Sequence, residues 1–265
     1  MASIYYGLSS SIVAFSILAL MLLAMEAGHR VGVRARPTTK PESRAQIETV
    51  QTSLLGLLAL MLGFTFSISL DRHNSRSQAV VSESNAIGTA FLRTELLPEQ
   101  PRAAARRAFA DYADLRARMS VLTWNERAEE AVLEAGVLAL QDTLWKEAAA
   151  NARTSPVPPI AGQYVQALND MIDAYSSYKA EMYRHVPFLV ILLLFGAFVV
   201  SGAIIGFSAG LAGHRPARAT FLMVSVVVLL LYMVMDLDRP HRGVIQVSSQ
   251  SLLDLKAEID AAVPR

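Results

Sequence analysis

Residues 62–97 read "LGFTFSISLDRHNSRSQAVVSESNAIGTAFLRTELL". The stretch opens as lipid-facing sequence and closes as soluble helix, with no proline and no glycine-rich break between. Read as one helix from 50 to 97, it makes a rod of roughly 70 Å at 1.5 Å per residue. Such a rod joins a membrane part to a water-exposed part, and the remaining sequence is read outward from it.

The 265 residues are 53% hydrophobic and only 18% charged, which points to membrane spans. A net charge of +1 gives no footprint for nucleic acid. With no cysteine, disulfides, thiolate metal sites and a cysteine nucleophile are excluded. Uncharged apolar runs cover 4–25, 50–70, 186–209 and 219–235. A spanning helix needs roughly 17–25 such residues, so four spans are expected. The first run lacks a basic leader and a small-x-small cleavage site, so it reads as a span and not as a signal peptide.

The segment between the first two spans, "EAGHRVGVRARPTTKPESRAQIET", carries Arg30, Arg34, Arg36, Lys40 and Arg44. The turn "GLAGHRPAR" adds Arg215 and Arg218 on the same side. Basic short loops stay in the cytoplasm. This orientation places the central region outside the cytoplasm.

The centre, about 100–183, reads as soluble helices. Pro98 and Pro101 separate the long helix from the next. Apolar residues at 105, 108, 109, 112, 115, 119 and 122 mark one helical face. Thr123 and Glu126 form a capping-box pattern that opens another helix. Its apolar side is expected at Val132, Ala135, Leu138, Ala139 and Trp145. After "TSPVPPIAG" comes a helix with Tyr164, Leu168, Met171, Tyr175, Tyr178 and Met182 at 3–4 spacing, read as a packing stripe. Pro240 and Gly243 predict a turn, followed by a short amphipathic helix docking through Leu252, Leu255 and Ile259.

The chain contains no H-E-x-x-H, G-x-S-x-G or Gly-rich phosphate loop. The histidines, 29, 73, 185, 214 and 241, are dispersed near span ends. No enzyme activity, cofactor or metal is expected. Asp236 and Asp238, closing the fourth span, are expected to form ion pairs with Arg72 or Arg239, and Asp71 with a neighbouring arginine.

The second span carries the functional signal. Thr49, Ser53, Gly56, Gly63, Ser67, Asp71, Asn74 and Gln78 share one helix face. Small residues let helices approach closely, and they also leave room for a pore lining. Phe64 and Phe66 beside the stripe suit a hydrophobic constriction of the kind that gates by dewetting. Four spans enclose no water-filled route alone, so a pore would be shared among copies of the chain.

"LGFTFSISLDRHNSR" resembles the second transmembrane segment of bestrophins, with Gly63-Phe64 followed by Asp71-Arg72 at the same spacing. Over almost its whole length the chain is similar to the bestrophin-like domain family of bacterial membrane proteins. The basic loop, "VVSESNAIGTAFLRTELLP" and "DLDRPHRG" carry that similarity. The resemblance implies a homopentameric ion channel lined by the second span, with Phe64 at the neck. His73 and Asn74 replace the tryptophan pair of bestrophins, and their calcium-binding acidic run has no counterpart here. Bestrophins keep the helical domain in the cytoplasm, whereas the basic loop argues for the opposite side.

The expected fold is all-α and polytopic, with four transmembrane helices and a helical extramembrane bundle between spans two and three. Segments 1–70, 71–185, 186–236 and 237–265 are the first helix pair with its basic loop, the extramembrane domain, the second pair, and the terminal turn and helix. The expected function is an oligomeric ion pore in the bacterial inner membrane. Gly56, Gly63, Phe64, Phe66, Ser67 and Asp71 are the pore candidates, and Asp71, Arg72, Asp236, Asp238 and Arg239 the ion-pair candidates. The partners are the lipid bilayer, further copies of the chain and ions. The alternative is a non-conducting envelope scaffold or sensor whose helical domain binds a partner.

Overall fold

A computed structural model describes residues 10–123, 126–239 and 244–263. Every regular element among them is helical. In chain order they are α1 (Ser10–Ala35), α2 (Pro41–Leu92), a 3-10 turn (Arg93–Leu96), α3 (Glu99–Ser120), α4 (Arg127–Thr154), α5 (Pro158–Met182), α6 (Phe188–Ala212), α7 (Arg218–Leu237) and α8 (Gln250–Ala262). Four helices are long and apolar enough to cross a membrane: Ile12–Ala35, Pro41–Leu96, Phe188–Ala212 and Arg218–Leu237. The protein is therefore an all-α membrane protein, as the apolar runs predicted. The expected turn at Pro240 and Gly243 lies outside the described residues.

The first two helices differ from expectation at the basic segment. What read as a long loop is mostly helix, and only 36–40 separate α1 from α2. α1 continues past Met25 because nothing breaks it before Pro37. Pro41 then occupies the first position of α2, where a missing N–H costs nothing and the fixed φ is already helical. α2 is 52 residues long and unbroken.

The chain divides into two compact units. The first, Met1–Arg72 with His185–Ile245, is the membrane unit. Its core joins Ile17 and Met21 of α1, Leu58 and Leu62 of α2, Phe198 of α6 and Leu231 of α7. α1 and α6 meet backbone to backbone. A Cβ on Gly28 or Gly32 would collide with the carbonyls of Ala203 and Phe207. One on Gly206 or Gly210 would collide with those of Met25 and His29. This is the small-xxx-small approach, which membrane helices use because dispersion at short range replaces the hydrophobic drive. α6 ends at Gly213 with φ 81°. The Gly213 N–H donates to Gly210 O at 3.1 Å and the His214 N–H to Ala209 O at 3.3 Å, a Schellman closure that needs the left-handed residue.

The second unit comprises His73–Arg184 and Gln246–Arg265. The α3 stripe lies against its core as predicted, with Phe109 and Tyr112 fully buried. Tyr164, Leu168, Met171, Tyr175, Tyr178 and Met182 of α5 are all buried, so this stripe is packing. α8 docks against α3 through Leu252, Leu255 and Ile259. The Glu126 carboxylate accepts from the Thr123 N–H and hydroxyl, both at 2.7 Å, before α4 begins. Those bonds hold its carboxyl below the usual range.

α4 corrects the sequence reading. Val132 and Leu138 are 71% and 48% exposed, and Ala135, Ala139 and Trp145 are also exposed. The buried face is Leu133, Val137, Gln141, Leu144 and Ala148. Both faces carry apolar residues at 3–4 spacing, so periodicity alone does not select the one that packs.

Candidate functional site: the outer face of α2

Within the membrane unit, the packed side of α2 is Leu58, Leu62, Thr65 and Ser69, at steps of four, three and four. Thr65 returns its hydroxyl to Met61 O at 2.8 Å, so this polar residue is satisfied on its own helix. The opposite side holds Thr49, Ser53, Gly56, Gly63, Ser67 and Asp71, and all of them are exposed. Among the described residues nothing lies within 4 Å of a Cβ built on Gly56 or Gly63. The small residues of this outer face therefore pack against no other described residue. Phe64 stands beside them, 63% exposed, while Phe66 turns inward and packs against the membrane core. The two phenylalanines thus fall on different sides of the helix.

Further along α2, in the second unit, Asn74, Gln78, Ser82, Asn85 and Thr89 are exposed. The packed side there is fastened by polar contacts that the sequence reading missed. The Glu83 carboxylate takes two hydrogen bonds from Arg116 of α3, at 2.5 and 2.6 Å, with both side chains fully buried. The guanidinium lies 4.9 Å from the Tyr175 ring and 4.6 Å from that of Tyr178. Burial opposes the Arg116 charge, but Glu83 outweighs it and the group is held above its usual range. Burial likewise pushes the Tyr112, Tyr175 and Tyr178 phenols up. Arg76, fully buried, donates to Glu181 O at 3.2 Å and Arg184 O at 2.5 Å, where the C-terminal carbonyls of α5 present negative charge. Ser84 donates to Ser251 O at 2.8 Å. A charged residue on an otherwise apolar helical face was the available signal for Arg76 and Glu83. The α1–α6 contact was also missed, although Gly202, Gly206 and Gly210 stand at steps of four.

Asp71 is on the outer face and Arg72 on its flank, and neither has an ion-pair partner among the described residues. Asp236, Asp238 and Arg239 are buried at the end of α7. Asp236 Oδ2 accepts the N–H groups of Val244 and Ile245, at 2.9 and 2.8 Å. Asp238 Oδ1 accepts the Val186 N–H at 2.9 Å, and its Oδ2 lies 3.6 Å from His185 Nδ1. The acidic pair thus ties α7 to the chain segments on either side of it. Among the described residues no cluster of three metal-ligating side chains occurs.

A family profile for the bestrophin-like domain matches residues 13–252. The chain belongs to the bestrophin-like family. Solved structures of similar fold include a tryptophan-to-alanine variant of a bacterial bestrophin homologue from Klebsiella pneumoniae. That likeness has a TM-score of 0.64 at 14% identity and covers 92% of this chain and 98% of that one. A leucine-to-threonine variant of the homologue gives 0.62 at 12% identity, covering 94% and 99%. A proline-to-alanine variant described as a membrane protein gives 0.64 at 12%, also covering 94% and 99%. At these identities the likeness is one of fold. No curated protein matches the sequence. The bestrophin-like identity accords with the Gly63-Phe64 and Asp71-Arg72 spacing from which the family was first read.

Proposed function

We propose that copies of this bestrophin-like chain assemble with the outer face of α2 toward a shared axis and form an ion-conducting pore. Phe64 stands at its narrowest point, Gly56, Gly63 and Ser67 leave room along the lining, and Asp71 supplies charge at one mouth. The observation that carries the reading is the pair of open glycines. Gly56 and Gly63 meet no other described residue, while the other side of the same helix is closely packed. Family membership favours a homo-oligomer, five copies by analogy with bestrophins. The reading assigns the chain no catalytic step, cofactor or metal.

The basic segment 30–44 favours an inner-membrane orientation with that segment in the cytoplasm and 100–183 on the other side. A reporter fused after Pro158 that works solely outside the cytoplasm would support it.

Flux through reconstituted liposomes tests conduction. Phe64→Ala widens the constriction and raises flux, and Gly63→Leu fills the lining and lowers it. No flux from the parent or either variant, with assembled protein in the vesicles, would end the pore reading. The exposed Val132, Leu138 and Trp145 of α4 favour a second reading, a non-conducting scaffold that binds a protein partner there.

A further inference from the structure

The cations of the extramembrane unit are largely matched. Arg106 meets Glu95, Arg116 meets Glu83, Lys146 meets Asp142, Lys179 meets Glu134 and Lys256 meets Asp260. One end of the membrane unit is built differently. Glu26 receives Arg30 at 2.8 Å and Arg215 at 3.4 Å, which brings the last turns of α1 beside the α6–α7 turn. The Arg36 guanidinium occupies the place a Cβ on Gly213 would take. Arg44 reaches back to Arg36 O at 3.2 Å, while its Nε is buried without an acceptor.

The remaining charge is only partly balanced, since Glu42 and Glu48 on the opening turns of α2 stand against five further cations and neither is at ion-pair distance from a described residue. Arg34, Arg36, Lys40, Arg44 and Arg218 have no carboxylate partner among the described residues. Apolar surface adjoins them. Val31 and Val33 are 54% and 47% exposed beside Arg34, and Phe221 and Leu222 are 44% and 69% exposed just after Arg218. Unmatched guanidinium groups bordering bare helix surface fit a ligand with an anionic phosphate at one end and hydrocarbon at the other.

We propose that this end of the membrane unit binds anionic phospholipid. The phosphate sits at Arg36 and Arg44, which the Arg44 to Arg36 O hydrogen bond brings together and whose planar forks match phosphate oxygens, and Arg34 adds to the field from the last turn of α1. Lys40 and Arg218 extend the field over neighbouring headgroups, and the acyl chains lie along the exposed valines and Phe221. Basic clusters at the ends of membrane helices act in this way. The proposal is independent of conduction, since it concerns lipid at one end of the helices and not the outer face of α2.

The test uses the full chain in phosphatidylcholine vesicles containing a minor fraction of phosphatidylglycerol, with spin-labelled forms of each lipid as probes. The parent protein should favour phosphatidylglycerol by about fivefold or more at low salt. R34Q/R36Q/R44Q should bring that preference close to unity, and K40Q/R218Q should lower it in part. R107Q/R153Q, which removes unmatched cations of the extramembrane unit, should leave it unchanged. Should the triple variant not fold, K40Q/R218Q carries the test, because both side chains are exposed and unbonded. An absent preference in the parent, or one retained in both patch variants, overturns the proposal. So does complete displacement of the lipid by inorganic phosphate, which would assign the patch to a soluble anion.

Discussion

Gly206 of α6 lies under the carbonyl of Met25, whereas Gly63 of α2 meets no other described residue. Both are glycines in membrane helices with small residues at steps of three or four. In α1 and α6 the missing side chains let two backbones touch, and the helices are fixed by that contact. In α2 the missing side chains leave a surface that no other described residue covers. The same residue type thus closes one helix pair and leaves another helix face free, and spacing alone does not distinguish the two.

Substitution should separate them sharply. Gly206→Leu has no room, because the obstacle is backbone and not a flexible side chain. It should abolish monodisperse protein in detergent. Gly63→Leu should leave the thermal unfolding of the monomeric chain unchanged within about 0.5 kcal/mol and act on assembly and flux. Equal stability of the two variants would break the comparison.

The two sides of a helix can be contrasted in the extramembrane unit as well. Glu83→Leu leaves Arg116 buried and unpaired and should cost about 3–5 kcal/mol. Replacing both partners, as E83L/R116L, should restore most of that, since two buried charges are removed together. Asn85→Leu, on the outer face, should stay within about 0.5 kcal/mol. Chemical denaturation of the purified protein, followed by near-UV circular dichroism, measures all three. On α4, Val137→Asp should cost several kcal/mol, on the order of burying an unpaired charge. Leu138→Asp should cost about 0.5 kcal/mol or less. A large loss from Leu138→Asp confined to the assembled protein would show that another copy covers this face.

The smallest effect concerns pH. Burial holds the Tyr112, Tyr175 and Tyr178 phenols protonated in the folded unit. Their folded-state values lie above the unfolded one, so the stability they contribute is complete below about pH 10 and lost as pH rises through the folded values. Thermal midpoints should therefore fall above about pH 10, and less steeply in Tyr178→Phe. An unchanged slope in Tyr178→Phe would exclude this tyrosine as a contributor.

Much of the fold was legible because membrane spans need long uncharged runs and helix faces repeat at 3.6 residues. Those two rules found the four membrane helices, the packed stripes of α3, α5 and α8, and the unbroken passage of α2 from apolar into polar sequence. The family was legible in Gly63-Phe64 and Asp71-Arg72. Three features needed the tertiary structure. The packing side of α4 depended on which neighbour lay across from it, since Leu133 and Val132 are equally apolar. The Glu83–Arg116 pair joins residues far apart in sequence, and no local pattern announces which distant cation meets a given carboxylate. The outer face of α2 was visible as a stripe of small residues, but a stripe is silent about whether anything fills it. Sequence periodicity specifies which residues share a face, while the placement of the other helices decides whether that face is covered.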